Sequence, residues 1–328
     1  MRTGMVYDKR FLEHDTGPSH PERAARLEAI VERLHRDRLW EQLIHLPVRP
    51  ADPEWVLAVH DQAYVERIRM ACERGARFVD VADSAICPSS YEVALLAVGG
   101  TLCAVDAVMG GTVDTAFCAV RPPGHHAERD ASMGFCLLNN VAIAAEYLQH
   151  RHGLRRIAIV DFDVHHGNGT QHIFEQCPEV LFISMHEHPT FLYPGSGFAW
   201  EQGRERGSGH TLNLPVEPGA GDDVFQALME LRVVPAINAF EPQFILLSAG
   251  FDASEHDPLA HLCLSVRGYE KLTQRLMQLA HRHCDGNLVS CLEGGYDLRA
   301  LAECAAAHVA CLMSDPGEDS LMSLKAGL

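Results

Sequence analysis

Short apolar runs that alternate with stretches of helical length constrain this chain more than any other feature. Residues 115–120, 156–160, 180–184, 244–248 and 287–292 are apolar along most of their length, as strands covered on both faces are. Between them lie residues 89–109, 140–152, 222–240 and 266–283, each long enough for a helix. In the first of these, Ala94, Leu95, Val98, Leu102, Val105 and Val108 fall on one helical stripe. Ser89 and Asp222 are predicted N-caps. This alternation predicts an α/β fold, a parallel sheet with helices on both faces. No Pro/Gly/Ser linker divides the chain, so one domain is expected over residues 1–313, with a C-terminal tail over 314–328. Residues 186–210 are rich in Gly, Pro and aromatics without clear periodicity, which predicts a binding or lid loop.

Charge and cysteine usage narrow the partners. The formal net charge is −17, a field that repels nucleic acid and favours cationic partners. Eleven cysteines are scattered without a CxxC pair, and Cys103, Cys118 and Cys291 sit inside apolar segments. They read as small buried hydrophobes in a reducing compartment, not as a disulfide framework or a zinc ribbon. The N-terminus reaches Asp8 too early for a secretory h-region, and no apolar run is read as crossing a bilayer. A cytoplasmic location without membrane contact is the expectation. The sequence leaves open whether the chain forms a homo-oligomer.

The unusual residues follow the apolar runs. Arg121-Pro-Pro-Gly-His-His-Ala127 comes after the first, Asp161-Phe-Asp-Val-His-His-Gly-Asn-Gly169 after the second, Ala249-Gly-Phe-Asp252 and Glu293-Gly-Gly-Tyr296 after two later ones. Clusters at the carboxyl ends of parallel strands converge on one sheet edge, where open α/β folds place their sites. Residues i and i+2 of an extended segment face one way, so Asp163 and His165 address one point. Asp252 supplies a third donor, and three protein ligands leave a position for water and substrate, as in a catalytic zinc site. Alone, Asp-x-His is more often a hydrogen-bonded loop pair; beside Asp252 and the other clusters, a metal is the better reading. Zinc, iron(II) and cobalt all accept this donor mix.

His125 and His126 sit on a turn constrained by Pro123 and Gly124, with Asp161 and Asn168 available to orient one ring each. The ring paired with aspartate should hold its proton more strongly, which leaves the asparagine-paired ring as the base near neutrality. Tyr296 follows Gly294 and Gly295, glycines that permit close backbone approach to a ligand, and its phenol can donate to a developing oxyanion. A core tyrosine is the bland alternative. Gly134, Phe135 and Tyr193 are candidates to wall a channel for an aliphatic chain. Phe135 is nearly as readily core, and the Pro-Glu of His20-Pro-Glu-Arg23 could simply start a helix.

With these motifs in view the chain resembles the arginase/deacetylase superfamily, and within it the class II histone deacetylases and bacterial histone deacetylase-like amidohydrolases. The motifs occur in the family's order, and the match runs from about Val6 to about Met313. The resemblance implies a single domain with an eight-stranded parallel sheet wrapped by helices. It implies zinc on Asp163, His165 and Asp252, with His126 as general base and acid. His125, held by Asp161, is the electrostatic partner, and Asn168 supports His126 where class I members carry aspartate. Tyr296 polarises the scissile carbonyl, and the Gly134 carbonyl accepts the substrate N–H. Potassium maps beneath the zinc to Asp161, Asp163, His165, Ser184 and Met185, and a second potassium to backbone near Phe174, Cys177 and Val180. Arg26 matches an arginine of an internal channel for acetate release.

The function implied is removal of acyl groups from lysine side chains in proteins or peptides, or from small acylated amines. Tyr296 favours an active enzyme, because some class II relatives carry histidine there and lose most activity. An acetylpolyamine amidohydrolase is the first rival. It is weakened by Leu259, which stands where polyamine-selective relatives place glutamate. A binuclear manganese ureohydrolase would need a closing Asp-x-Asp, and Asp252-Ala-Ser254 lacks the second aspartate. A non-catalytic acyl-lysine binding protein is the remotest alternative.

Overall fold

Eight strands line up as one sheet in the computed structural model of the chain, which describes residues 1–315. The strands are β1 (Thr3–Val6), β2 (Ile44–His45), β3 (Thr115–Cys118), β4 (Ile157–Asp161), β5 (Val180–Glu187), β6 (Thr211–Val216), β7 (Phe244–Ala249) and β8 (Leu288–Leu292). Their order is β2-β1-β3-β8-β7-β4-β5-β6, and every neighbouring pair is parallel. The inner strands β3, β4, β7 and β8 are buried at every residue, which is why they read as continuous apolar runs. Strands β1, β2 and β6 gave no such signal. The first two have four and two residues, and β6 at the sheet edge carries Asn213 and Pro215. The tail expected after Ser314 falls, from residue 316 on, outside the described residues.

Helices cover both faces. They are α1 (Ala25–Arg36), α2 (Pro53–Val59), α3 (Gln62–Glu73), α4 (Ser90–Met109), α5 (Asn140–His152), α6 (Asn168–Phe174), α7 (Asp222–Leu228), α8 (Val234–Phe240), α9 (Val266–Cys284) and α10 (Leu298–Met313). On one face α4 crosses β1, β3 and β8 while α5 covers β4 and β7; on the other, α9 and α10 pack side by side with α1 against α10. All eleven cysteines are free thiols, Cys118 and Cys291 buried and Cys103 half-buried.

Three expectations need correction. Residues 222–240 are not one regular helix: a wider π-turn over Met229–Val233 separates α7 from α8. Pro235, in the first turn of α8, has no N–H to donate, and the π-turn accommodates that break. Neither predicted N-cap makes a capping hydrogen bond, although Ser89 does stand at the N-cap position of α4. Asp222 lies inside α7, its carboxylate accepting from Ser265 N (2.9 Å) and Ser265 Oγ (2.6 Å) instead. Ser265 in turn caps α9 through Gly268 N. Finally, α4 is long and apolar enough to span a bilayer, contrary to the reading that no run is; here 72% of that stretch is buried in the protein interior.

The approach of α4 to its neighbours is close. Ala51 N donates to Leu95 O at 2.9 Å, which lays residues 49–51 along the helix. A Cβ on Gly99 would collide with the Arg49 carbonyl and crowd the backbone of Pro50 and Ala51. Gly99→Ala should therefore destabilise the fold by about 1–3 kcal/mol through overpacking, although alanine is the better helix former by about 1 kcal/mol. Urea denaturation measures this, and equal or higher stability in the variant would contradict it.

Candidate active site

The four polar clusters leave the carboxyl ends of four adjacent strands, β3, β8, β7 and β4, at the middle of the sheet. Asp161, Ser248 and Cys291 are aligned across β4, β7 and β8, with Cys118 of β3 next in register. The segments that follow therefore begin at one level and meet.

Beyond β4 the backbone is shaped by its own carboxylates. Asp161 Oδ1 accepts from Asp163 N (3.1 Å), and Asp163 Oδ1 from His165 N (2.9 Å), two successive Asx turns. Asp252, beyond β7, uses Oδ1 to accept from Val164 N (2.9 Å). These bonds bring donor atoms of Asp163, His165 and Asp252 within 4.8 Å of one another, all buried. His165 Nδ1 lies 3.1 Å from Asp163 Oδ1 and 3.3 Å from Asp252 Oδ2. Asp163 Oδ2 also accepts from Gly294 N (2.7 Å), whereas Asp252 Oδ2 makes no hydrogen bond. Burial opposes charge on the His165 ring, yet the adjacent carboxylates of Asp163 and Asp252 raise its pKa to about 10. The pocket thus favours positive charge strongly. Two buried carboxylates with one imidazole and an unbonded oxygen fit a divalent cation with O, O, N ligation, as zinc takes. Among the described residues this is the one cluster of that kind.

Beside it the rings of His125 and His126 lie 4.0 Å apart. His125 Nδ1 donates to Asp161 Oδ2 (2.9 Å), and Asp163 Oδ1 stands 3.8 Å from Nε2. Burial works against a charged ring, but Asp161 and Asp163 lift His125 to about 10. Burial, helped by the neighbouring Asp163 charge, outweighs the His125 bond and pushes Asp161 up to about 6, so the ring is the stronger holder of the shared proton. His126 Nδ1 donates to Asn168 Oδ1 (2.6 Å), and Asn168 Nδ2 donates to Glu128 Oε1 (2.5 Å). The carboxylate of Glu128 can only accept, which fixes the amide orientation and hence the His126 tautomer, leaving a lone pair on Nε2. Burial and then the charges of His125 and His165 hold His126 well below its ordinary value. The two rings differ in basicity in the direction that their Asp and Asn partners dictate. The turn carrying them is held by Glu293, whose Oε2 accepts from Gly124 N (2.7 Å) and His125 N (3.2 Å).

A cavity of about 230 Å³ opens above these groups, lined by Asp83, His126, Gly134, Phe135, His165, Leu192, Tyr193, Leu259 and Tyr296. Phe135 meets Tyr296 edge-on at 5.8 Å and His20 at 4.7 Å, while Tyr193 meets His126 at 5.1 Å and His165 at 6.4 Å. Gly134 (φ +52°) and Phe135 (φ +69°) are the central residues of a tight turn closed by Cys136 N to Met133 O at 2.8 Å. A Cβ on Gly134 would run into the His126 ring, and Phe135 holds a conformation costly for an aromatic residue. Leu192 and Tyr193 come from the expected loop over 186–210, which Glu201 braces by accepting from Gly197 N and Phe198 N.

Other sequence candidates lie outside the cavity wall. Arg26 is wholly buried behind Tyr296, its guanidinium 5.0 Å from that ring, and donates to Gly295 O (2.7 Å) and Glu293 O (2.5 Å). Gly295 turns away from the cavity toward Arg26. Ser184 sits beside Asp161 in the β4–β5 register with its hydroxyl bonded to His186 Nδ1 (2.8 Å), and buried Met185 follows. Phe174 ends α6; its carbonyl accepts from Cys177 N (2.9 Å), and the Cys177 carbonyl from Val180 N (3.4 Å). The Pro-Glu of residues 21–22 does not start a helix, since α1 begins at Ala25. Glu22 is instead a buried carboxylate bonded to Arg121 and Arg26; burial opposes its charge, and the two guanidinium groups hold it far below the usual carboxylate range. Asp83, Leu192 and Glu128 were not found by sequence. The first two lie in loops without a motif or period, whereas Glu293, a lone carboxylate closing an apolar strand, carried a readable signal.

If the asparagine sets the basicity of His126, Asn168→Asp should raise its pKa by about 1–3 units, because an anion beside Nδ1 stabilises the cationic ring. An NMR titration of the His126 ring protons tests this, and an unmoved midpoint would refute the pairing.

The histone deacetylase domain family matches residues 20–312. The chain is 42% identical to a probable deacetylase of Archaeoglobus fulgidus over 91% of this chain and 82% of that one. It is 37% identical to a histone deacetylase-like amidohydrolase of Pseudomonas aeruginosa, over 94% and 85% of the two chains. The crystal structure of the HDA15 HD domain superposes with a TM-score of 0.90 at 36% identity, covering 95% of this chain and 89% of that one. The matched region contains all four strand-end clusters, and the chain belongs to the histone deacetylase family, a hydrolase acting on amides.

Proposed function

We propose that the protein is a zinc-dependent deacylase acting on N-ε-acyl-lysine in proteins or peptides. The observation that carries this reading is the site's division of charge. A neutral ring with a free Nε2 (His126) and a charged ring (His125) flank an Asp–His–Asp cluster whose Asp252 Oδ2 has no hydrogen-bond partner. Held by Asp163, His165 and Asp252, zinc would polarise the scissile carbonyl and acidify an attacking water.

The chain's own groups supply the rest. His126 Nε2 takes the proton from the attacking water and later delivers it to the leaving amine. Its tautomer is set for that task by Asn168 and Glu128. The His125 cation, fixed by Asp161, offsets negative charge as it develops nearby. The Tyr296 phenol, buried deeply enough to keep its proton well above neutrality, donates to the carbonyl oxygen. Phe135 and Tyr193 flank the aliphatic chain, and the Gly134 carbonyl accepts the amide N–H. Leu259 presents hydrocarbon to the cavity at the position where polyamine-selective relatives carry glutamate, and this supports acyl-lysine over an acetylpolyamine. A potassium ion below the zinc belongs to the same reading, with Asp161 and Ser184 side by side and oxygen donors of the kind such an ion takes.

Zinc-loaded protein should turn over acetyl-lysine peptides with a higher kcat/KM than acetylputrescine or acetylspermidine. His126→Ala should lower kcat by about 10²–10⁴-fold and Tyr296→Phe by about 10²–10³-fold, while Asp252→Ala should abolish stoichiometric zinc. Full activity in the first two variants would sink the assigned roles, and a reversed substrate ranking would replace the substrate class.

A further inference from the structure

Asp257 has no part in the chemistry above, yet its buried carboxylate joins two walls of the cavity. Oδ2 accepts from Tyr296 N (2.7 Å) and, more loosely, from Asp297 N (3.4 Å); Oδ1 accepts from Leu259 N (3.0 Å). Tyr296 and Leu259 both line the cavity, so one side chain sets the backbone of both.

The bond to Tyr296 has a counterpart across the same peptide unit. The Tyr296 N–H and the Gly295 C=O belong to one amide, and that carbonyl accepts from Arg26 Nε at 2.7 Å. A single amide is thus gripped at both ends, by a carboxyl oxygen of Asp257 on its N–H and by the Arg26 guanidinium on its C=O. Both gripping groups are anchored: Arg26 by Glu22 at 3.1 Å, and Asp257 by its own N–H to Ser254 O at 3.0 Å. The grip answers a local weakness. Gly294 and Gly295 precede the tyrosine, and Gly295 has φ +120°, so the chain itself does little to fix the direction in which Tyr296 leaves it.

We propose that Asp257 is a positioning residue that aims the Tyr296 phenol at the reacting carbonyl and locks the Leu259 wall to it. The proposal rests on the reading of Tyr296 as the oxyanion donor. A phenol displaced by about 1 Å loses on the order of 100-fold in rate, whereas a residue that merely folds the loop would act independently of the hydroxyl.

A double-mutant cycle separates the two. Asp257→Ala, Asp257→Asn and Tyr296→Phe are combined in zinc-loaded protein. Two quantities are read: kcat/KM on an acetyl-lysine peptide, and the Kd of a linear alkyl hydroxamate, whose oxygen takes the same phenolic hydrogen bond. Asp257→Ala should lower kcat/KM by about 10–100-fold when Tyr296 is present and by less than about 3-fold in the Tyr296→Phe background. Asp257→Asn should fall between, because a carboxamide oxygen still accepts from one N–H. The Kd should show the same coupling. Equal losses in both backgrounds would overturn the proposal, and the Asn variant decides the matter if the Ala variant does not fold. Absence of turnover on every acylated amine would defeat the deacylase reading alone, since the hydroxamate cycle still answers for Asp257.

Discussion

Burying carboxylates at the carboxyl edge of a sheet is the constraint on which this structure turns. Glu22, Asp161, Asp163, Asp252 and Glu293 are all without solvent exposure, and an isolated buried anion costs several kcal/mol or more. Each is answered differently. Glu22 lies between two arginines, Asp161 faces the His125 ring, and Glu293 accepts from two backbone N–H groups. Asp163 and Asp252 receive backbone N–H bonds and one shared imidazole between them. Two carboxylates sharing one ring leave a deficit that a divalent cation would fill. The Asp–His–Asp cluster is where the fold's compensation of its own buried charge is incomplete.

The same logic separates two histidines adjacent in sequence. Their rings are 4.0 Å apart and equally enclosed, so burial alone would neutralise both. An aspartate behind one keeps it charged; an asparagine behind the other, turned by Glu128, leaves it neutral. Charge on His125 then lowers His126 further. A ring that holds its proton and a ring that does not come from one dipeptide because their second neighbours differ.

Legibility in the sequence follows burial. The central strands announced themselves because both faces are covered, and the polar clusters because they directly follow those strands. Edge strands β2 and β6 carry too few apolar residues to stand out from loops. Asp222 looked like an N-cap by composition, but a tertiary partner, Ser265, claimed its carboxylate. Pro21 and Glu22 looked like a helix start because the alternative, a carboxylate bonded to arginines 4 and 99 positions away, has no local signature. Asp83 and Glu128 reach the site or its supports from loops whose geometry no period encodes.

The tip of β8 shows why Glu293-Gly-Gly-Tyr296 reads as a unit. Four consecutive residues each answer a different element: the Glu293 carboxylate holds the histidine turn, Gly294 N–H holds Asp163, Gly295 C=O holds Arg26, and Tyr296 N–H is held by Asp257. A side chain at Gly294 would occupy the place of Asp252 Oδ2, so its bareness is a condition of the Asp–His–Asp cluster. The backbone freedom this creates is removed by the Asp257 and Arg26 side chains gripping the next peptide unit. The Asp–His–Asp cluster, the histidine pair and the tyrosine therefore share one short segment as their common reference. Each is held there by its own hydrogen bond, which is the rigidity that chemistry by positioned donors requires.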